Sequence, residues 1–282
     1  MDIARHIEEL SQRDLAQRRE ALSRILSREG IVHSLEEDRQ NDIVNFTFTS
    51  CNNTGSKSGC LFTAHYDNAR GSCGANDNMA SVCILIDLWR KLEDDNINAC
   101  FLLTDGEEYG NVGAKLYCNT HNVKDFAGVI CLDVCGYGDS IIVCGKGQEH
   151  KHVFRKLTGH EILRKYNAEI TRYIPPGDDV IFRKYHVPTL SISIVPKWDV
   201  QYMKALASFG DRLLGQPPEF DMIYSQMEIT QTMHGGSKDN PEYIQPEAMM
   251  KIYDYLSEAM TLPNENILAK FSLSDIFRRV FI

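Results

Sequence analysis

The fold of this chain is decided by three neighbouring segments: C-L-F-T-A at residues 60–64, N-M-A-S-V-C-I-L-I-D-L-W-R-K-L at 78–92 and A-C-F-L-L-T at 99–104. The first and third segments are short apolar runs of the kind that form buried strands, and the segment between them repeats apolar residues at helical spacing. Strands that alternate with helices predict an α/β fold, in which helices cover both faces of a sheet and ligands bind at the carboxyl ends of its strands.

The same alternation continues on both sides of these segments. Further strands are predicted at 42–48, 129–133, 140–144, near 170 and at 189–194, and further helices at 112–120, at about 150–166, after 178 and at about 246–260. Apolar residues spaced among charges over about 1–30 predict N-terminal amphipathic helices. Residues of about 196–233 interrupt the rhythm, and we interpret them as an inserted lid. We expect the whole chain, 1–282, to form one domain.

The composition narrows the class of protein. Of the 282 residues 43% are hydrophobic, and 30 basic against 39 acidic residues give a net charge of −9 without a basic stripe, which argues against nucleic acid as a partner. The charged N-terminus lacks a secretory signal and no run is long enough to span a membrane, so we expect a cytoplasmic protein. The nine cysteines include no C-x-x-C pair, which favours reduced thiols over a disulfide framework.

Histidine and carboxylate residues follow the predicted strands. The strand ending at Ala64 runs into His65 and, two residues on, Asp67, whose side chains point the same way on an extended chain. A carboxylate beside an imidazole suits a metal ligand and the group that orients it. Asp77 lies in the turn G-A-N-D-N at the start of the next helix, where a helix cap is the ordinary alternative.

Four further candidates complete the set. Glu107 and Glu108 stand side by side after the strand at 99–104, and neighbouring carboxylates repel each other unless a cation lies beside them. A solvated acidic loop is the alternative explanation of this pair. Asp133 ends an apolar strand and needs a partner, and His234 lies in a glycine-rich loop before the last helix. Together these residues predict a dinuclear metal site with nitrogen and oxygen ligands, which suits zinc or cobalt.

At this point the sequence resembles the M28 family of zinc aminopeptidases. The matching stretches occur in family order from about residue 59 to 260 and are T-A-H-Y-D, G-A-N-D-N-M-A-S-V, D-G-E-E-Y-G, C-L-D-V-C-G, G-D-D-V-I-F, V-P-T-L-S and H-G-G-S-K-D-N-P-E-Y-I-Q-P-E. The resemblance implies a mixed, largely parallel sheet flanked by helices. It also implies a metallo-exopeptidase, with a peptide as substrate and two Zn²⁺ as cofactors, for which Co²⁺ or Mn²⁺ could substitute.

The resemblance also assigns a role to each candidate residue. His65 and Asp133 correspond to ligands of one metal, Glu108 and His234 to ligands of the other, and Asp77 to the bridge between them. Glu107 corresponds to the general base that activates water for hydrolysis of the N-terminal peptide bond. Asp67 corresponds to the carboxylate behind His65.

Three departures from the family pattern leave the substrate open, and one of them is the insert at about 196–233. Asp179 stands where the family motif has a histidine, and Met233 stands where some members carry a tyrosine before the last ligand. A glutaminyl-cyclase-like acyltransferase, which binds a single zinc ion, is one alternative within the same fold. A non-catalytic binding module is the other, although such a protein would have no reason to retain both Glu107 and Glu108.

Overall fold

An eight-stranded mixed sheet forms the centre of the computed structural model, which describes residues 2–51, 59–210 and 215–262. The strands are β1 (His33–Asp38), β2 (Ile43–Ser50), β3 (Cys60–His65), β4 (Ala99–Thr104), β5 (Gly128–Leu132), β6 (Ser140–Cys144), β7 (Ala168–Ile170) and β8 (Thr189–Val195). They lie in the order β1-β2-β4-β3-β5-β8-β6-β7. Pairing is parallel for β3 with β4, β3 with β5, β5 with β8 and β6 with β7, and antiparallel elsewhere. The predicted mixed, largely parallel sheet is confirmed.

Helices pack on this sheet along its length. They are α1 (Ile7–Leu10), α2 (Leu15–Arg28), α3 (Ala80–Asp94), α4 (Val112–Thr120), α5 (Arg155–Thr158), α6 (His160–Tyr166), α7 (Asp179–Lys184), α8 (Lys197–Ala207), α9 (Pro218–Tyr224) and α10 (Pro246–Thr261). Among the described residues, no helix combines the length and the apolar character needed to cross a bilayer. All nine cysteines are free thiols.

Side-chain alternation along the strands builds a separate core on each face of the sheet. On β3, Phe62 packs into the large cluster formed with α2, α3 and α10, whereas its neighbour Leu61 packs into the cluster formed with α4 and α7. On β6, Ile141 belongs to the first cluster and Ile142 to a third, which includes residues of α8. Because successive residues of a strand point to opposite faces, apolar strands of this kind require cover on both sides.

The parallel arrangement of β3, β4 and β5 determines where the candidate site lies. The carboxyl ends of these three neighbouring strands meet at one edge of the sheet. His65 is the last residue of β3, Glu107 follows β4 by three residues, and Asp133 follows β5 directly. The fold therefore gathers residues that are far apart in sequence.

Two elements differ from the sequence-based prediction. Strand β1, H-S-L-E-E-D, was not predicted, because an edge strand with exposed polar side chains lacks an apolar signature and is defined by its pairing with β2. The single helix predicted over about 150–166 is two helices, α5 and α6. Gly159 between them has extended backbone angles, and glycine costs a helix interior about 1 kcal/mol relative to alanine.

The segment 196–233 is an integral part of the packing. Its described residues form α8, α9 and a short helical turn at Glu228–Thr232. Val200 and Met203 of α8 are buried against Ile142 of β6, in the third apolar cluster. This segment is therefore anchored to the sheet by α8, whereas α9 has no buried residue.

A buried arginine ties the N-terminal helices to the end of β3. Arg18 of α2 has no exposed surface. Its guanidinium donates hydrogen bonds to the backbone carbonyls of Gln12, Tyr66, Asp67 and Cys73, over distances of 2.5–3.1 Å. The N-terminal segment thus fixes the loop that carries Asp67, a role that its amphipathic pattern did not predict.

We expect Arg18→Met to destabilise the protein by at least about 3 kcal/mol, because the substitution leaves several buried carbonyls without donors. The midpoint of urea unfolding, followed by circular dichroism, measures the change. Arg24→Met on the same helix is the matched control. The Arg24 side chain is 54% exposed in its ion pair with Glu20, so the control should change stability by about 1 kcal/mol or less. Equal effects of the two substitutions would contradict the role of Arg18.

Candidate metal centre

His65 lies at the centre of a group of buried carboxylates. Its Nε2 atom is 3.1 Å from Oδ1 of Asp77 and 3.5 Å from Oδ1 of Asp133. Its Nδ1 atom faces Oδ1 of Asp67 at 3.3 Å. The imidazole therefore has one nitrogen facing two carboxylates and the other facing a third, the arrangement of a metal-ligating histidine and its orienting carboxylate.

Asp67 also fixes the loop that carries the two glutamates. It is fully buried, and its Oδ1 and Oδ2 atoms accept hydrogen bonds from the backbone N–H groups of Glu107 (3.0 Å) and Glu108 (3.1 Å). The turn before them uses Gly106, whose φ of +68° lies in the left-handed region that glycine tolerates best. One carboxylate thus sets the positions of His65, Glu107 and Glu108.

The turn around Asp77 is held by hydrogen bonds from distant parts of the chain. Buried Asp239 accepts hydrogen bonds from the backbone N–H groups of Asn76 (3.0 Å) and Asp77 (3.3 Å). The amide of Asn78 donates to the carbonyl of Leu132 at 2.9 Å. These contacts join the turn to the end of β5 and to the loop after His234. The role of Asp239 was not predicted from the sequence, although it lies in the same H-G-G-S-K-D motif as His234.

The five predicted ligands lie in two groups that share Asp77. One group contains His65, Asp77 and Asp133, the other contains Asp77, Glu108 and His234, and within each group the ligand atoms lie within 4.8 Å of one another. In the second group, Nε2 of His234 is 3.8 Å from Oδ2 of Asp77 and 3.9 Å from Oε2 of Glu108. The two oxygens of Asp77 thus face different groups, as a bridging carboxylate requires. That these residues bind metal stays a prediction.

The donor atoms fit divalent metal ions. Oε1 of Glu108 and Oδ1 of Asp133 are buried without a hydrogen-bond partner among the described residues. Buried polar atoms are normally paired, and buried carboxylates in close proximity need positive charge. Sets of imidazole and carboxylate ligands are typical of zinc sites.

The pKa values of these groups show how strongly the site requires a cation. Burial raises the pKa of Glu107 from 4.5 to about 9. The charge of nearby His65 lowers this pKa, and the charges of Asp133, Asp178 and Asp77 raise it. Burial and Asp77 raise the pKa of Glu108 to about 7. Burial opposes the charged form of His65, yet hydrogen bonds that its imidazolium donates to the carboxylates of Asp133, Asp67 and Asp77 hold its pKa well above the usual value. In the absence of metal, Glu107, Glu108 and His65 therefore keep their protons to a higher pH than usual, and these protons offset the negative charge of the site.

Glu107 belongs to neither group of ligands and has its own support. Its Oε1 atom accepts a hydrogen bond from the side-chain amide of Asn111 at 3.1 Å, and the same amide donates to Oδ1 of Asp178 at 3.2 Å. Asp178 is buried and also accepts a hydrogen bond from the hydroxyl of Thr104. Neither neighbour of Glu107 was predicted from the sequence. Asn111 is four residues from Glu107, but Asp178 is 67 residues from Asn111, a separation that no spacing rule covers.

The two positions whose residue type departs from the family pattern, Asp179 and Met233, are accommodated locally. Asp179 is buried, accepts a hydrogen bond from the backbone N–H of Gly177 at 2.9 Å and forms an ion pair with Arg183, so it stabilises the start of α7. The hydroxyl of Tyr224 lies 3.8 Å from the sulfur of Met233. A tyrosine side chain is therefore present beside residue 233, but it is that of Tyr224 on α9 and not that of residue 233 itself.

A cavity of about 280 Å³ opens over the two groups. Its floor includes Asp77, Glu107, Asp133 and His234. Its wall is formed by Tyr173, Pro175, Pro176, Phe220, Asp221, Tyr224 and Met233. A concave space of this size beside ionisable groups is the usual form of a small-molecule or single-residue binding site.

Comparison with known families identifies the class of protein. Residues 48–260 match the model of peptidase family M28. Since this match covers most of the chain, the protein belongs to peptidase family M28. No match to the chain was found among curated protein sequences.

Solved structures of similar fold include two kinds of enzyme. A leucine aminopeptidase precursor from Bacteroides thetaiotaomicron has a TM-score of 0.68 at 14% identity, over 93% of this chain and 97% of that one. A glutaminyl cyclase from the same organism has a TM-score of 0.66 at 15% identity, over the same shares. The zinc aminopeptidase BSAP from Bacillus subtilis has a TM-score of 0.57 at 17% identity, over 77% of this chain. This chain covers 49% of BSAP, about half its length. Likeness at this level of identity shows a shared fold.

The pKa shifts predict how the stability of the metal-free protein changes with pH. The folded chain holds the protons of Glu107 and Glu108 to a higher pH than the unfolded chain, so its stability should fall as the pH rises from about 5 to about 9. Metal ligands must be deprotonated, so stabilisation by added zinc should grow over the same range. At saturating zinc the melting temperature should rise by roughly 5 °C at about pH 8.5 and by less at about pH 5.5.

Thermal unfolding of chelator-treated protein, with and without zinc, measures both effects. Asp77→Asn is the sharpest control variant because Asp77 belongs to both groups, and it should lose most of the zinc-dependent shift. A shift of the same size at both pH values, or one unaffected by Asp77→Asn, would show that zinc acts elsewhere.

Proposed function

We propose that the protein is a zinc-dependent exopeptidase, specifically an aminopeptidase that hydrolyses the N-terminal peptide bond of its substrate. Membership of peptidase family M28 supports a metal-dependent, peptidase-like activity. The observation that carries the finer proposal is the pair of ligand groups sharing Asp77, with Glu107 beside them and in neither group. Such a site has ligands for two ions and a carboxylate left over for proton transfer.

The ligand assignment follows the two groups. His65 and Asp133 would hold one zinc ion, Glu108 and His234 would hold the other, and Asp77 would bridge them. When bound, the ions would supply positive charge that lowers the pKa of a water molecule and polarises the peptide carbonyl. Asp67 would keep the imidazole of His65 oriented and, through its two backbone hydrogen bonds, hold Glu107 and Glu108 in register.

Glu107 would carry the proton during hydrolysis. As the water oxygen forms a bond to the carbonyl carbon, a proton passes from the water to the Glu107 carboxylate. As the carbon–nitrogen bond breaks, Glu107 returns the proton to the departing amine. Asn111 fixes one oxygen of Glu107 by its hydrogen bond, so the other oxygen can face the cavity. A general base held in one orientation contributes about 100-fold or more to the rate.

The segment 196–233 would form one wall of the substrate site. Three residues of α9 line the cavity: Phe220, Asp221 and Tyr224. Because α8 is anchored to the sheet while α9 contributes no buried residue, α9 would act as the cover of the cavity. We therefore retain the interpretation of this segment as a lid, with its covering part confined to α9.

A glutaminyl-cyclase-like acyltransferase is the second candidate. The observation in its favour is the fold similarity to a glutaminyl cyclase over 93% of this chain. The cavity of about 280 Å³ suits a single N-terminal residue, which either reaction requires. The two candidates differ in the number of zinc ions expected.

Substitution of the two adjacent glutamates should separate proton transfer from metal binding. Glu107→Gln preserves size but cannot accept a proton, so kcat should fall by at least about 100-fold while zinc content and folding persist. Glu108→Gln removes a ligand and should lower both zinc content and activity. Steady-state kinetics on aminoacyl substrates and elemental analysis measure the two properties. Near-parental turnover of Glu107→Gln on every substrate would contradict the mechanism.

Zinc stoichiometry should distinguish the two candidate functions. We expect about two ions per chain in protein purified without chelators, since one ion cannot use both groups of ligands. Elemental analysis and zinc titration by calorimetry give the number. Binding of a single ion under excess zinc, together with cyclisation of an N-terminal glutamine substrate, would favour the acyltransferase.

A further inference from the structure

The wall of the cavity combines aromatic rings with a carboxylate. The ring of Phe220 lies 5.5 Å from that of Tyr173 at 81°, and 6.3 Å from that of Tyr224 at 10°. Three rings packed at these distances form a rigid surface against which an alkyl chain can lie. Aromatic faces also attract cations through their quadrupole, by about 0.5–1 kcal/mol at exposed sites.

This aromatic cluster already has one ammonium group beside it. Lys146 Nζ lies 5.9 Å from the centroid of the Tyr173 ring, close to the limit for a cation–π contact. Lys146 does not line the cavity, whereas the rings of Phe220 and Tyr224 do. A cation inside the cavity would therefore meet aromatic faces that Lys146 does not occupy.

Asp221 adds a negative charge to the wall of the cavity, and it is not one of the candidate metal ligands. It is exposed on α9 and lines the cavity, and its side-chain carboxylate forms no hydrogen bond or ion pair with any described residue. Among the described residues, those that line the cavity include no lysine or arginine. Bound zinc would offset the carboxylates of the floor, but Asp221 belongs to neither ligand group and would keep its charge. The resulting negative electrostatic potential in the cavity favours a cationic ligand and disfavours an acidic one.

From this combination we propose that the cavity selects a basic N-terminal residue, lysine or arginine, as the residue to be released. The alkyl part of the side chain packs on Phe220 and Tyr224, and its charged end pairs with Asp221. This inference rests on the proposed aminopeptidase function for the identity of the substrate, but the binding preference is a property of the cavity itself. Asp221 is then a specificity residue supplied by the inserted segment.

Binding of two free amino acids tests the preference without requiring turnover. L-lysine and L-norleucine share a straight alkyl chain, and only lysine carries the terminal charge. In calorimetry with the zinc-loaded protein, lysine should bind about 10-fold more tightly than norleucine, the sum of an exposed ion pair and one cation–π contact. Asp221→Asn should reduce the ratio to about 3-fold or less and leave norleucine binding unchanged. Raising the salt concentration should reduce the ratio in the parent protein.

Glu219→Gln is the matched control, because Glu219 is an exposed acidic residue of the same helix that does not line the cavity. It should leave both affinities unchanged. Norleucine binding as tightly as lysine, or no binding of either, overturns the proposal. An equal loss of both ligands in Asp221→Asn also overturns it, because Asp221 would then hold the α-amino group.

Kinetics on lysyl, arginyl, norleucyl and glutamyl arylamides separate this inference from the proposed function. Cleavage of lysyl and arginyl arylamides in preference to the norleucyl arylamide supports both the aminopeptidase function and the basic specificity. Cleavage without that preference retains the aminopeptidase and rejects the basic specificity. Tight lysine binding without cleavage of any arylamide retains the specificity of the cavity and rejects the aminopeptidase.

Discussion

The concentration of carboxylates at one edge of the sheet is the constraint on which the rest of the structure depends. Asp77 and Asp133 lie 3.1 Å and 3.5 Å from the imidazole of His65, Glu108 belongs to the second ligand group around Asp77, and Glu107 lines the same cavity. Buried like charges repel strongly, and the folded chain balances them either with protons or with bound cations. The raised pKa values of Glu107 and Glu108 show that, without metal, protons neutralise part of this negative charge.

The polar network around the site serves to hold these charges in a fixed arrangement. Asp67 links the end of β3 to the loop after β4, Asp239 links the turn of Asp77 to the loop after His234, and Arg18 links the N-terminal helices to the loop of Asp67. Each link joins backbone groups to a buried charged side chain. Buried charges of this kind are tolerated when their hydrogen bonds are satisfied. The positions of the ligand groups are therefore set by a framework that extends well beyond them.

The candidate metal centre and the proposed substrate wall come from different parts of the fold. The candidate ligands His65, Asp77, Glu108 and Asp133 lie at or after the carboxyl ends of parallel core strands, and hydrogen bonds to Asp67 and Asp239 hold the turns that carry Glu108 and Asp77. The wall is formed by α9 and the loop around Tyr173, which lie at the surface. Function in a shared fold diversifies mainly through such segments. The same core can accordingly serve aminopeptidases and glutaminyl cyclases, as the similar structures indicate.

The sequence by itself determined the class of fold and the set of candidate residues. Apolar runs and helical spacing are local properties, so strands β3, β4 and β5 and the residues that follow them could be predicted from neighbouring residues alone. The edge strand β1 and the contacts of Arg18, Asn111, Asp178 and Asp239 were decided by tertiary structure. Strand β1 is defined by its pairing with β2, and the bonds of Arg18 to Asp67, Asn111 to Asp178 and Asp77 to Asp239 join residues tens to more than 150 positions apart. A hydrogen bond or a pairing across such a separation leaves no periodic signal in the sequence, because its energy arises only when folding brings the two partners together.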